Sequence, residues 1–342
     1  MEKITVEGEV LDASGQLVTD FTGIVNPTVK DSKVTVTCLK NSNKDDSPAF
    51  TFTDYPNTIF IGNDSVRNGK FSFTFTVPKD ISYSNLQGKM NLYAVDTESG
   101  NEAQGNFDNF IVGGTSDTAE TDTIGPEIRA LYLNDTTFVD GGQVNTTPYF
   151  VAELWDKSGV NITGSSVGHD MMLVIDESTV LSYNLNSYYE LLPGEEGTGI
   201  VKFPIPALEP GKHTAEFWVW DILNNSTVRT FTFEVVEGLK PFLFDVIATP
   251  GIAREQVTFH LMHNRPESRM RVGIMVYDLA GRQLWKHEES GTSGLFENYT
   301  VSWDLTSGGA RMRPGVYIYR AAISTDNSKD ATKARKFIIL GE

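Results

Sequence analysis

The chain has 342 residues, of which 39% are hydrophobic and 11% aromatic, and it contains 30 glycines and 14 prolines. This composition is typical of a globular protein with short strands and many turns, and the length predicts about three domains. The formal net charge of −17 argues against nucleic acid as a partner, because phosphate binding needs clustered lysine and arginine.

The charge is uneven along the chain. Residues 1–237 hold 14 basic and 34 acidic side chains, a balance of −20, whereas residues 238–342 hold 14 basic and 11 acidic side chains, a balance of +3. The acidic part is typical of a soluble surface. We expect the last part to have its own role, with an acidic protein or an anionic glycan as its partner.

Cys38 is the only cysteine, so the sequence contains no internal disulfide and no cysteine-rich metal site. The alternation of Val34, Val36 and Cys38 predicts a strand that buries the thiol as a small packing residue. No apolar run is long enough to cross a bilayer as a helix, and Met1 is followed directly by strand-like alternation without a signal-peptide core. We therefore expect this sequence to be part of a longer exported protein.

The first part of the chain alternates apolar and polar residues at period two, the pattern of strands with one buried face. The segments with this pattern are 4–10, 34–38 and 71–77. Asn68-Gly69, directly before the last of them, is a hairpin turn signal. We predict a β-sandwich domain over 1–112, followed by a linker over the small polar residues 113–123.

The rest of the chain continues the same pattern without a helical period. Strands are predicted at 149–155, 171–175, 200–205, 213–220, 227–236, 257–261, 272–276, 316–318 and 337–340. We predict immunoglobulin-like domains over 124–237 and 238–342, the second with a turn at 278–282. The predicted fold class is all-β, with tandem immunoglobulin-like antiparallel β-sandwich domains.

Motifs of known catalytic chemistry do not occur in the sequence. There is no Gly-x-Ser-x-Gly elbow, no phosphate-binding glycine loop and no His-Glu-x-x-His. Of the five histidines, His213, His260 and His263 fall on or beside predicted strands, where histidine is usually structural. We therefore predict no catalytic residue and no enzymatic activity in this chain.

One loop between strands is rich in oxygen donors, which are the ligands of hard cations such as calcium. It covers residues 155–170, with a further acidic residue just beyond it. The candidate ligands are Asp156, Asn161, Asp170 and Asp176. Because Asp, Asn, Ser and Gly also form ordinary turns, turn chemistry is the alternative explanation, and we predict no other cofactor.

Two tryptophans suggest a sugar-binding surface, since aromatic rings stack on the apolar faces of sugars. Trp218 and Trp220 are two residues apart in a predicted strand and therefore share one face of it. The alternative is that these rings belong to the core of the sandwich.

The sequence resembles a known family in its second and third parts. The matching segments are 156–161, 168–170, 184–189, 208–213 and 219–226 in the second part, and 276–282, 303–304, 315–319 and 336–339 in the third. The second part resembles the region downstream of the peptidase domain in gingipain-type, PorU-like cysteine peptidases. The third part is similar to the C-terminal sorting domains of type IX secretion proteins, with Thr249-Pro250 where members usually have Asn-Pro.

This resemblance implies a role for the chain. In the family, the catalytic cysteine and histidine belong to an upstream peptidase domain, and no residue here matches either of them. The resemblance implies a bacterial cell-surface or outer-membrane protein whose sandwiches act as a stalk and docking module. The implied partners are the upstream peptidase domain of the same chain, secretion-system or cell-surface proteins, and lipopolysaccharide or another anionic glycan.

Two other functions fit the same residues. One is a carbohydrate-binding surface adhesin that uses Trp218 and Trp220. The other is a stand-alone enzyme, which would need turnover by this chain alone.

Overall fold

The computed structural model describes residues 2–40, 48–82, 84–114, 122–164, 168–192, 197–325 and 327–341. Regular structure in these residues is almost entirely β-strand, with one short 3-10 turn at Asn186–Tyr188. The predicted all-β fold of mainly antiparallel sheets is confirmed. Among the described residues, no helix has the length and apolar character needed to span a membrane.

The strands of the first stretch of chain pair with one another up to residue 112. They are β1 (Lys3–Glu9), β2 (Gly23–Lys30), β3 (Val34–Thr37), β4 (Thr51–Asp54), β5 (Thr58–Ile61), β6 (Asp64–Val66), β7 (Lys70–Thr76), β8 (Leu86–Gln87), β9 (Lys89–Asp96), β10 (Glu102–Phe107) and β11 (Ile111–Val112). The largest sheet has the order β10-β9-β2-β5, with β6 also paired to β2. The pairs β1-β7, β3-β4 and β8-β11 form smaller sheets.

The middle stretch forms two sheets. Its strands are β12 (Glu127–Leu133), β13 (Gln143–Val144), β14 (Tyr149–Trp155), β15 (Met172–Ile175), β16 (Ser182–Asn184), β17 (Tyr189–Leu191), β18 (Thr198–Pro204), β19 (Gly211–Trp220) and β20 (Ser226–Val235). One sheet has the order β12-β14-β18-β17 and the other β13-β20-β19-β15-β16. Every strand predicted from alternation in this stretch is present, with its ends shifted by two residues at most.

The last stretch forms two main sheets and a small hairpin. Its strands are β21 (Leu243–Thr249), β22 (Ile252–Ala253), β23 (Val257–His263), β24 (Met270–Tyr277), β25 (Gln283–Gly291), β26 (Tyr299–Trp303), β27 (Thr306–Ser307), β28 (Ala310–Arg311), β29 (Gly315–Ser324) and β30 (Ala331–Ile339). The sheets have the orders β21-β23-β26 and β22-β30-β29-β24-β25, and β27 pairs with β28. The turn predicted at 278–282 joins β24 to β25.

The backbone packs as two compact units. One consists of Met1–Leu131, Ala152–Lys202 and Thr214–Phe231, and the other of Tyr132–Val151, Phe203–His213 and Thr232–Glu342. The predicted division into three domains stays a prediction, and most of the predicted linker, residues 115–121, lies outside the described residues.

The sequence explains the core of the first stretch. Asn68 and Gly69 both have positive φ, and this two-residue turn leads into β7. Along β7, Phe71, Phe73 and Phe75 are buried and alternate with exposed polar residues. Their rings stack on one another at centroid distances of 6.4 Å, which fills the core from one strand face.

Aromatic side chains also fill the core of the last stretch. Trp303 is 4% exposed, and its indole N–H donates to the backbone oxygen of Thr306 at 2.8 Å. The Trp303 ring stacks on Trp285 at 4.4 Å and meets Phe337 of β30 edge-on at 6.3 Å. Both main sheets of this stretch therefore share one buried core.

The prediction that Cys38 is buried is wrong, because its side chain is exposed. Strand β3 ends one residue earlier, at Thr37, and pairs with β4, whose four residues are all exposed. Val34 and Val36 of β3 are therefore only half-buried, and Cys38, the next residue in the alternation, is exposed to solvent.

Candidate functional site

Three carboxylates meet at strand ends in the first unit. Asp122 precedes β12, Asp156 directly follows β14, and Asp221 directly follows β19. One carboxylate oxygen from each lies within 4.8 Å of the others, and Asp156 and Asp221 are buried. We call these three residues the aspartate cluster.

Local hydrogen bonds fix the two buried members of the cluster. Asp156 Oδ1 accepts from the backbone N–H groups of Ser158 at 2.7 Å and Gly159 at 2.9 Å. Asp221 Oδ1 accepts from the N–H groups of Leu223 at 2.9 Å and Asn225 at 2.7 Å. Each aspartate thus closes the turn after its own strand, which is a common role of Asp in turns.

The third member is tied to the same place. Asp122 Oδ2 accepts from the Ser158 hydroxyl at 2.8 Å, and the Asn225 amide donates to the Asp122 backbone oxygen at 3.0 Å. These bonds connect the residue before β12 with both strand-end turns. The cluster is therefore assembled from three distant parts of the sequence.

Crowding of negative charge perturbs the cluster. Burial, followed by the charges of Asp221 and Asp122, raises the pKa of Asp156 to about 6 against the effect of its hydrogen bonds. Burial also raises the pKa of Asp221. Hydrogen bonds from Ile124 and Ser158 lower the pKa of Asp122. Oxygen ligands of this type suit a hard cation, whose charge would offset the repulsion between the carboxylates.

The predicted calcium ligands lie in different surroundings. Asp156 belongs to the cluster, whereas Asn161 is buried and its Oδ1 accepts from the N–H and hydroxyl of Thr163 at 3.0 and 2.8 Å. Asp170 precedes β15 and accepts from the Asn186 amide at 2.7 Å. Asp176 follows the same strand, is exposed and has a φ of 55°. Calcium binding by this set stays a prediction.

Sequence reasoning missed Asp122 and Asp221. A signal for Asp221 was present, because Trp155-Asp156 and Trp220-Asp221 repeat the same pair at the end of a strand, each followed by a turn. Asp122 carried no comparable signal.

A second polar cluster centres on Asp80. Some of its partners are close in sequence to Asp221 of the aspartate cluster. The Asp80 carboxylate lies 2.6 Å from His169 Nδ1 and accepts from the Asn224 amide at 2.9 Å. One residue earlier, the Lys79 N–H donates to the backbone oxygen of Ile222 at 2.9 Å. These contacts join the first and middle stretches of the chain within the first unit.

The two tryptophans of the predicted sugar site lie where alternation placed them. Trp218 and Trp220 are half-buried and alternate along β19 with the buried residues Phe217 and Val219. The Trp220 ring packs against His169 at a centroid distance of 4.5 Å. The indole N–H of Trp218 donates to a carboxylate two residues earlier. Sugar binding by this pair stays a prediction.

Comparison with known proteins gives a strong sequence likeness over the whole chain. No protein-family model matches the chain, and no curated protein matches it. The class defined by the fold is that of all-β chains built from several mainly antiparallel sheets. The chain is similar along its whole length to dimeric latent PorU from Porphyromonas gingivalis, with 37% sequence identity. The match covers 100% of this chain and 32% of that chain, with a TM-score of 0.40. The chain spans about a third of the length of that protein.

Two further similar structures share much less sequence with the chain. The N-terminal Ig1-2 module of the Drosophila receptor protein tyrosine phosphatase DLAR is 10% identical, with 64% of this chain and 98% of that chain covered and a TM-score of 0.25. The Bacteroides ovatus protein SGBP-B, solved with a mixed-linkage heptasaccharide, is 8% identical, with 98% and 64% covered and a TM-score of 0.26. At these values neither likeness bears on function.

Proposed function

We propose that the chain is the non-catalytic C-terminal region of a gingipain-type, PorU-like cysteine peptidase or sortase of the type IX secretion system. The observation that carries this proposal is the 37% identity to PorU over the whole of this chain, which spans only 32% of PorU. The remaining length of such a relative leaves room for a peptidase domain. Catalysis then belongs to that domain of the same polypeptide, and this region acts as a stalk and docking module.

The contacts around Asp80 support the stalk role. A stalk holds its ends at a fixed distance and orientation only where consecutive domains are bonded to each other, because domains joined by flexible linkers move independently. Asp80, 9% exposed at its side chain, bonds residues of the middle stretch, including His169 and Asn224. The aspartate cluster lies in the same unit, and a calcium ion bound there would stiffen the turns after β14 and β19.

The charge of the last stretch supports the docking role. Residues 238–342 carry a balance of +3, against −20 for the rest of the chain. A basic surface on an acidic protein favours an acidic partner at low salt. The proposed partners are secretion-system or cell-surface proteins and an anionic glycan such as lipopolysaccharide, at the outer membrane of a bacterium.

The full-length reading frame tests the proposal. It should encode a peptidase domain upstream of this region, and the full-length protein should show cysteine-protease or transpeptidase activity that a thiol-directed inhibitor abolishes. This chain, assayed beside it at the same concentration, should be inactive. A reading frame without a peptidase domain, or turnover by this chain alone, would refute the proposal.

A carbohydrate-binding adhesin is the second candidate. It is favoured by Trp218 and Trp220, which share the outer, half-exposed face of β19. In that case Trp218→Ala should abolish glycan binding by this chain, while the reading frame lacks a peptidase domain.

A further inference from the structure

The largest sheet of the first stretch has an outer face with an unusual side-chain composition. In β2 and β9 the residues that point inward, among them Val25, Val29 and Ala94, are buried. Because side chains alternate along a strand, the residues between them point outward. The register then determines which outward residues lie next to each other.

Two neighbouring rows of outward residues cross three strands. In the first row, Asn26 of β2 pairs with Tyr93 of β9, which pairs with Gln104 of β10. The second row contains Thr28, Asn91 and Asn106 in the same strand order. We call these six residues the amide face. At ordinary strand spacing it measures about 10 Å across the strands and about 7 Å along them.

The chemistry of the amide face is uniform. Each Asn or Gln side chain offers two N–H donors and a carbonyl acceptor, and none of the six residues is charged. Among the residues that the structure describes, none of the four amide groups has a side-chain hydrogen-bond partner. Asn91, Gln104 and Asn106 are exposed, so these donors and acceptors are available to a ligand.

An aromatic ring lies at the centre of the face. Tyr93 is 36% exposed and is flanked by Asn26 and Gln104 on the neighbouring strands. Its side chain is hydrogen-bonded to Glu102, which lies two residue pairs further along the same two strands. An exposed ring surrounded by free amides presents an apolar stacking surface together with neutral hydrogen-bonding groups.

These groups complement a neutral sugar chain. Sugar rings have apolar C–H faces that stack on aromatic rings, and hydroxyl groups that both donate and accept hydrogen bonds, as amides do. The face itself carries no charge, and charged residues flank it on both sides, with Lys30 and Lys89 in the next outward row at one end and Glu102 in the next outward row at the other. A neutral ligand therefore matches the six residues of the face. Residues 1–237 as a whole carry a balance of −20, which disfavours an anionic ligand.

We propose that the amide face is a binding site for a neutral polysaccharide. Tyr93 stacks on one sugar ring, while Asn91, Gln104 and Asn106 hydrogen-bond the hydroxyl groups of that ring and its neighbours. This site is separate from the β19 tryptophans and requires no peptidase domain. It would allow the chain to hold a surface glycan independently of the proposed docking by the basic last stretch.

Affinity electrophoresis of this chain tests the proposal. Gels would contain one soluble polysaccharide each, with a mixed-linkage β-glucan, a mannan, a galactan and a dextran as neutral probes and alginate as the anionic probe. At least one neutral polysaccharide should retard the chain, and alginate should not. Titration calorimetry with the retarding polysaccharide then gives the dissociation constant for each variant.

The variants distinguish this face from other sites. Tyr93→Ala should raise the dissociation constant about tenfold or more, and Gln104→Ala, on the exposed edge strand β10 where folding is least affected, should raise it several-fold. Tyr188→Ala, which removes a tyrosine of similar exposure (39%) outside any site described above, should leave binding unchanged. Retardation by none of the neutral probes, binding of alginate with equal strength, or wild-type binding by both Tyr93→Ala and Gln104→Ala would overturn the proposal.

Discussion

Acidification from pH 7.5 to pH 5 should destabilise the last stretch of the chain through His263. This residue ends β23, and its Nδ1 accepts from the backbone N–H of Arg265 at 3.1 Å. The other ring nitrogen, Nε2, lies 2.9 Å from the Ser293 hydroxyl and therefore carries the proton of the neutral ring. Burial, with a further contribution from the charge of Arg265, lowers the pKa of His263 to about 4.

The size of the effect follows from this pKa. An unfolded histidine titrates near 6.5, so between the two values the unfolded chain binds a proton that the folded chain does not. The stability contributed by the neutral ring is complete above about pH 6.5 and is lost as the pH falls toward 4. The expected loss in the free energy of unfolding is about 2 kcal/mol at pH 5 and about 3 kcal/mol at pH 4.

A matched variant isolates this loss from the titration of the carboxylates. In His263→Gln a neutral side chain can still donate and accept, so it should lose about 2 kcal/mol less than the wild type between pH 7.5 and pH 5. Urea unfolding followed by brief proteolysis and mass spectrometry measures the stability of the segment that contains β23 separately from the first unit. Equal pH dependence in the wild type and the variant would show that His263 does not stay neutral by burial.

Three further perturbations probe other features. In EDTA, Asp156→Asn should raise the free energy of unfolding by about 3 kcal/mol at pH 7.5 and have little effect near pH 4, because the wild type loses stability as the pH rises from 3.8 toward a folded pKa of about 6. Calcium should raise the melting temperature of the wild type more than that of the variant. Cys38 should react with a thiol reagent in the native protein as fast as in urea, since it is exposed, and protection in the native state would contradict the structure. Trp303→Ala should cost about 3–5 kcal/mol in urea unfolding because the ring is 4% exposed, whereas Phe296→Ala, 72% exposed, should cost less than about 0.5 kcal/mol.

Alternation in the sequence predicted most of the strands because burial on one face of a sheet requires period two. Strand β14 was predicted with the bounds that the structure shows, Tyr149–Trp155. The same rule failed at Cys38, where the strand pairs with the exposed β4 and alternation no longer reports a packed layer. Periodicity predicts a strand, but the partner strand decides how deeply its residues are buried.

The candidate site was harder to predict because its members are far apart in the sequence. Asp156 was found from its loop, but Asp122 and Asp221 lie 34 and 65 residues away from it in the chain. A search among neighbours in one loop selected Asp170 and Asp176, which lie on either side of β15. The amide face was likewise invisible, since it depends on the register of three strands.

The position of β30 has a consequence for the order of events during synthesis. This strand lies between β22 and β29 inside its sheet and contributes Phe337 to the core of the last stretch. Until residues 331–339 have left the ribosome, the sheet has a gap in its interior, and the ring of Trp303 has Trp285 beside it but lacks Phe337. The last stretch therefore stays incompletely folded and accessible to chaperones and proteases until it is fully synthesised. The first stretch, whose core contains Phe73, can fold earlier.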